Sequence, residues 1–201
     1  MIRNIVFDLG GVLITYNPEA ALLMAGYSKE EADRLNHAVF LDPLWRELDR
    51  GTYRSMKEAL PLFIKAHPQD QALLQSFFSK DWMNILFQPI DESVVFMKKL
   101  KQEGYRIYFL TNYAADTYQE TSSRLPFFRM VDGTVVSADV KLLKPDPRIY
   151  QTLLERYHLS PEETVFFDDS EINVQAAIAC GIHACTFHSV SDAEEFLNQL
   201  Q

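Results

Sequence analysis

The sequence predicts an α/β protein, an open parallel sheet wound on both sides by helices, with a run of helices inserted after the first strand. Three observations carry this. Short apolar runs rich in β-branched and aromatic residues, "NIVFD" near the start, "YRIYFLTN" from residue 105 and "TVFFDD" from residue 164, suit strands buried on both faces. The later runs alternate with amphipathic stretches of helical length, the pattern of parallel strands joined by helical crossovers. From residue 17 to residue 87 the strand signal vanishes and only helix signals remain.

Taken in chain order, "NIVFD" is the first strand, and Asn17-Pro18 then starts a helix. Ser28 with Glu31 forms a capping box for the next. Leu41, Leu44, Trp45 and Leu48 repeat at helical spacing, the stripe of a core-facing helix. A sugar ring stacked on Trp45, with Arg46 on a second anion, is the competing reading; Arg46 and Arg50 more commonly pair with nearby acids. A further helix is expected from Thr52, carrying Met56, Ala59, Leu60, Phe63 and Ile64 on one face, with Pro61 bending or shortening it.

After Pro89 the alternation begins. "DESVVFMKKLKQEG" reads as a helix ending at Gly104, and "YRIYFLTN" as a buried strand. "AADTYQETSSRL" follows as a helix and "GTVVSA" as a short strand. "PRIYQTLLERYH", "NVQAAIACG" and "SDAEEFLNQL" are the remaining helices, with "TVFFDD" and "HACTF" the strands between them. The expected organisation is a core of residues 1–16 and 88–201, interrupted by a helical cap at residues 17–87.

Composition excludes several classes of function. Nineteen basic residues against 28 acidic ones give a net charge of −9, which repels nucleic acid and offers no basic tract to overcome that. No apolar run reaches membrane-spanning length, and Met1 leads into a strand and not into a basic-then-apolar leader. A cytoplasmic protein, monomer or homodimer, is expected. Cys180 and Cys185 have no metal-ligand spacing and read as reduced buried thiols.

In an open parallel sheet, ligands bind at the carboxyl ends of the strands. Three apolar runs end there in reactive groups: Asp8, Thr111-Asn112 and Asp168-Asp169. Helix capping is the bland alternative for each. An adjacent pair of acids, however, carries a repulsion that capping does not require, and a hard cation such as Mg2+ between the pair and Asp8 would relieve it. In "KLLKPDPRIY", Pro145 restrains Lys144, while Asp146 and Pro147 start a helix, so the loop holds Lys144 ahead of it. A solvated lysine would be its ordinary fate. Together these groups describe a phosphoryl-transfer site, with cations and donors around a phosphate and a carboxylate to attack it.

The ordered series "VFDLGGVL", "FLTN", "KLLKPDPRIY" and "VFFDDSEINVQAA" resembles motifs one to four of the haloacid dehalogenase superfamily. It is most similar to the subgroup of the soluble epoxide hydrolase N-terminal phosphatase and the glucose-1-phosphate phosphatases, which carry a helical cap after motif one. The resemblance implies a Rossmann-like core and a Mg2+-dependent phosphatase acting on a small phosphorylated metabolite, sugar phosphates among the candidates. It makes Asp8 the nucleophile that forms an aspartyl-phosphate, and Thr111 the hydroxyl that holds a phosphate oxygen with Asn112 donating beside it. It makes Lys144 the cation that screens Asp8 from the phosphoryl group. Asp8, the Gly10 carbonyl and Asp169 would bind Mg2+, with Asp168 assisting through water. Tyr16, close to motif one, is a candidate for the substrate pocket.

One departure stands out. Gly10 occupies the position where most phosphatases of the superfamily carry a second Asp, their general acid and base, a group worth roughly 100 to 10,000-fold in rate. Its loss favours substrates whose leaving oxygen needs little protonation, and a phosphoenzyme slow enough to trap. The competing functions are a regulator or binding module that keeps the fold without turnover, a metal-independent 2-haloacid dehalogenase, and a mutase, which the missing Asp disfavours. A phospho-accepting receiver domain is excluded by the chain order of its acids.

Overall fold

The computed structural model describes residues 1–79 and 83–200. Five strands, β1 (Asn4–Phe7), β2 (Arg106–Thr111), β3 (Gly133–Val136), β4 (Thr164–Asp168) and β5 (His183–Thr186), form one sheet in the order β3-β2-β1-β4-β5. All four neighbouring pairs are parallel, as the alternation predicts. β1 lies at the centre, with Phe7 in register with Phe109 of β2 and Phe167 of β4. The chain winds outward from β1 first to one side and then to the other, so the strand order reverses there and a crevice opens at the carboxyl ends. Asp8, Thr111 and Asp168 therefore arrive side by side at one rim.

Between β1 and β2 the described chain forms helices: α1 (Pro18–Met24), α2 (Lys29–Leu35), a π-helical turn (Asn36–Phe40), α3 (Pro43–Asp49), α4 (Met56–Ala66), α5 (Gln71–Phe78) and α6 (Met83–Leu86). The Ser28–Glu31 capping box is present in full, closing two otherwise orphaned donors at the start of α2. α4 starts at Met56, not at Thr52, because Ser55 accepts from Glu58 N and caps it, while Gly51 turns the chain at φ +70° just before. Pro61 lies inside α4, which nevertheless runs on to Ala66. The segments entering and leaving the insertion lie against each other: Thr15 N donates to Gln88 O (2.7 Å), Ile90 N to Leu13 O (2.9 Å), and Ile14 bridges Pro89 antiparallel.

Of the remaining helices, α7 (Asp91–Gln102) leads from the insertion into β2, and α8 (Ala115–Arg124), α9 (Ser137–Val140), α10 (Pro147–Tyr157), α11 (Glu171–Ala179) and α12 (Val190–Gln199) follow the later strands or connect them. Two apolar layers result. Val6, Leu110 and Phe166 pack with Ile149, Tyr150 and Leu153 of α10 and Val174 of α11 on one side of the sheet. Ile5, Phe7 and Phe167 share a larger layer with α7 and α12 that is continuous with Trp45, Leu48, Phe63 and Phe77 of the insertion. Each such side chain, fully buried, contributes roughly 1.5–3 kcal/mol, enough to set the insertion firmly on the sheet.

Cys180 and Cys185 are free thiols, but both are partly exposed and not buried. The reason is position: Cys180 caps the C-terminus of α11 and Cys185 lies on the edge strand β5. No described helix is long and apolar enough to cross a membrane.

Candidate active site

Asp8 follows the last residue of β1, and its N–H donates to Phe167 O of β4 at 2.9 Å, which extends the ladder one step and aims the residue at the rim. The chain then folds tightly, with Leu9 O accepting from the N–H groups of Val12, Leu13 and Ile14. Of the two glycines here it is Gly11 that the backbone requires. It has φ +72°, and a Cβ on it would overlap Asp169 Oδ2. Gly10 is not in the left-handed region, and a Cβ on it would meet Tyr16 Cβ at an ordinary 3.5 Å.

Lys144 is buried, and its Nζ lies 2.8 Å from Asp8 Oδ1 and 2.6 Å from Asp168 Oδ2. Two further side chains hold this arrangement. Asn112, just past β2, accepts from Lys144 N (2.8 Å) and donates through Nδ2 to Lys144 O (3.1 Å). Asn173 of α11 donates to both oxygens of Asp168 at 3.0 and 3.1 Å, and Ser170 N adds a third donor at 2.8 Å. The Asp168 carboxylate, completely buried, thus has its acceptor positions filled and serves as the floor under Lys144.

One ligand oxygen from each of Asp8, Asp168 and Asp169 lies within 4.8 Å of the others. Three carboxylates face a single ammonium. Burial pushes the Asp8 carboxyl up to about 7, Asp168 adds to the rise, and Lys144 opposes it. Asp169 is raised by burial and by Asp168. Burial would lower Lys144, yet Asp8 and Asp168 outweigh it and raise the ammonium above its ordinary value. The cluster is short of positive charge, and its hard oxygens are the donor set that suits Mg2+.

A cavity of about 300 Å³ opens over these groups. Asp8, Gly10, Tyr16, Thr111, Asn112, Lys144 and Asp169 line it, so seven of the eight residues singled out in the sequence meet at one place. Asp168 lies beneath, behind Lys144. Trp45, Phe87 and Tyr113 supply an apolar wall, with Tyr16 stacked on Phe87 at 6.2 Å between ring centroids.

Three details differ from the sequence reading. The Asn112 amide, expected only to donate to phosphate, also spends its oxygen and one of its two Nδ2 hydrogens on the Lys144 backbone, because that backbone has no helix or strand to satisfy it. Arg46 is exposed and does not line the cavity, and Arg50 pairs with Glu47 at 3.3 Å, so neither offers a second anion site there. Trp45 is buried in the core and lines the cavity as well, since one face of α3 meets both. Asn173 and Asp49 are additions that the sequence reading misses. A polar residue on the buried face of α11 is the signal that could reveal Asn173; the end of α3 bears no comparable mark.

The family model of the haloacid dehalogenase-like hydrolases matches residues 2–181. The chain belongs to that family and is a hydrolase. It is 26% identical to a phosphorylated carbohydrates phosphatase of Thermotoga maritima, across 96% of this chain and 89% of that one. It is 24% identical to (S)-2-haloacid dehalogenase 4A of Burkholderia cepacia, across 97% and 87%. A HAD-family enzyme from Bacteroides thetaiotaomicron, crystallised with magnesium and inorganic phosphate, superposes with a TM-score of 0.67 at 22% identity, covering 92% of this chain and 94% of that one.

Proposed function

We propose that the protein is a Mg2+-dependent phosphatase that hydrolyses a small phosphorylated metabolite through an aspartyl-phosphate on Asp8. The observation that carries this reading is the three carboxylates gathered within 4.8 Å around one lysine at the floor of a cavity. Asp8, Asp169 and the Gly10 carbonyl are the groups to hold Mg2+, while Asp168, its oxygens taken by Lys144, Asn173 and Ser170, lends only its negative charge from below; the ion, when bound, would neutralise charge on the phosphoryl oxygens.

Asp8 Oδ attacks phosphorus from the floor of the cavity. Lys144, fixed by Asn112 and Asp168, offsets the approach of carboxylate and phosphate, and Thr111 donates its hydroxyl to a phosphoryl oxygen. The aromatic wall of Tyr16, Trp45, Phe87 and Tyr113 faces the leaving group. Flat apolar faces suit the C–H face of a sugar or another ring, and the phosphorylated carbohydrates phosphatase among the relatives agrees with that. The helices of residues 17–87 act as a cap that closes the cavity from water.

The test is phosphate release from p-nitrophenyl phosphate and a panel of phosphorylated metabolites, with Mg2+ and with EDTA. Turnover that needs Mg2+ and disappears in Asp8→Asn is expected. Chloride release from 2-chloropropionate without metal would overturn the reading in favour of a dehalogenase, and absence of either reaction would leave a binding module.

A further inference from the structure

Gly10 leaves motif one without its usual second carboxyl, and the cavity contains a carboxyl that the scheme above does not use. Among the described residues the carboxyls lining it are those of Asp8, Asp169 and Asp49. Asp8 and Asp169 belong to the acidic cluster. Asp49, the last residue of α3, enters from the inserted helices, and no described cation pairs with it.

Its placement is built. Asp49 O accepts from Ser137 Oγ, and Ser137 Oγ in turn accepts from Tyr113 N at 2.9 Å. The Asp49 carboxyl accepts from Ala114 N–H. Two residues on, Gly51 presses so closely on Ala138 O that a Cβ would overlap it, and Lys141 donates to Gly51 O. Asp49 is thereby fastened to the loop after β2 and to α9, both at the rim where the phosphate would sit. A side chain on residue 10 would enter against Tyr16, which accepts a hydrogen bond from Trp45 and feels the charge of Asp49. Residue 10, Tyr16, Trp45 and Asp49 thus share one wall.

We propose that Asp49 is the general acid and base of the reaction, supplied by the inserted helices in the place left open by Gly10. The proposal rests on the phosphatase reading. In the first step Asp8 Oδ forms a bond to phosphorus, the bond from phosphorus to the leaving oxygen breaks, and that oxygen takes the proton of the Asp49 carboxyl. In the second, the Asp49 carboxylate takes a proton from water as the water oxygen bonds to phosphorus. The bond from phosphorus to Asp8 then breaks, releasing phosphate and restoring both carboxyls. Burial, with a smaller contribution from Asp8, pushes the Asp49 carboxyl up to about 7, so both protonation states are present near neutrality. Alkyl phosphates then become substrates in spite of Gly10.

The experiment compares kcat/KM for p-nitrophenyl phosphate with that for alkyl phosphates, in Mg2+, for wild type, Asp49→Asn, Asp49→Glu, and Asp49→Asn combined with Gly10→Asp. Asp49→Asn is expected to raise the ratio of aryl to alkyl turnover by about 100-fold, the usual worth of an acid that protonates a poor leaving group. Asp49→Glu should retain part of the alkyl activity, and adding Gly10→Asp to Asp49→Asn should bring the raised ratio back down by about tenfold or more. An unchanged ratio, or a loss equal for all leaving groups, would overturn the proposal while leaving the phosphatase reading intact. Wild-type protein without Mg2+-dependent turnover, or activity that survives Asp8→Asn, would instead remove the reading beneath it.

Discussion

Asn112 clasps Lys144 by its backbone, the amide oxygen accepting from Lys144 N at 2.8 Å and Nδ2 donating to Lys144 O at 3.1 Å. A lysine side chain is long and flexible, so aiming its ammonium requires that the backbone below it be held. Asn112→Ala leaves a buried N–H and C=O without partners, at about 1–3 kcal/mol. Phosphatase kcat is expected to fall about 10 to 100-fold while the protein stays folded, as steady-state kinetics and a thermal denaturation curve would show. Asn112→Asp, which keeps the acceptor but loses the donor, should fall between the two. Wild-type kcat in Asn112→Ala would contradict this account of Lys144.

Asp168 forms the second half of the support. With Lys144 buried to 3% exposure, removing Asp168 leaves an ammonium partnered by Asp8 alone. Asp168→Ala is expected to destabilise the fold by about 3–5 kcal/mol, the range for breaking one side of a buried ion pair. Combining it with Lys144→Met should cost less than the sum of the two single changes, measured by urea unfolding.

The two adjacent glycines make opposite predictions. Gly11→Ala places a Cβ on a residue at φ +72° and into Asp169 Oδ2. It should cost about 1–2 kcal/mol in backbone strain and weaken Mg2+ binding by about tenfold or more, read by titration calorimetry. Gly10→Ala meets only an ordinary contact with Tyr16, and its unfolding midpoint should match wild type.

Asp49 also makes stability depend on pH. Its carboxyl has a folded value of about 7 against an ordinary 3.8, so between those values the folded state binds the proton that the unfolded state has released. Stability from this group is complete below the ordinary value of 3.8 and declines as pH rises towards about 7, by on the order of a few kcal/mol. In EDTA, Asp49→Asn should therefore unfold at a higher temperature than wild type at about pH 8, with little difference at about pH 4. Equal midpoints at both values would mean that Asp49 is not buried as a carboxyl.

What can be read without the structure follows from short-range physics. The strands show as apolar runs because a parallel sheet buries both faces, and Ser28 and Asp146 cap helices within three residues of themselves. Asp8, Thr111 and Asp168-Asp169 are legible as one site because each ends a strand, and parallel strands bring their carboxyl ends to the same edge. Asn112 is legible as a site residue but not by its partner, since residue type does not distinguish a donor to a ligand from a clamp on a neighbouring backbone.

By itself the sequence determined the alternation of strands and helices, the rim on which the acids gather, and the absence of a carboxyl at residue 10, because each is a matter of local pattern. Only the tertiary structure decided that Asn173 floors the site, that Gly11 and not Gly10 is the glycine the backbone needs, and that Asp49 reaches the cavity from the inserted helices. These depend on which surfaces touch. Side chains distant in sequence meet only when packing closes the chain on itself, and no periodicity in the sequence records where a helix end will come to rest.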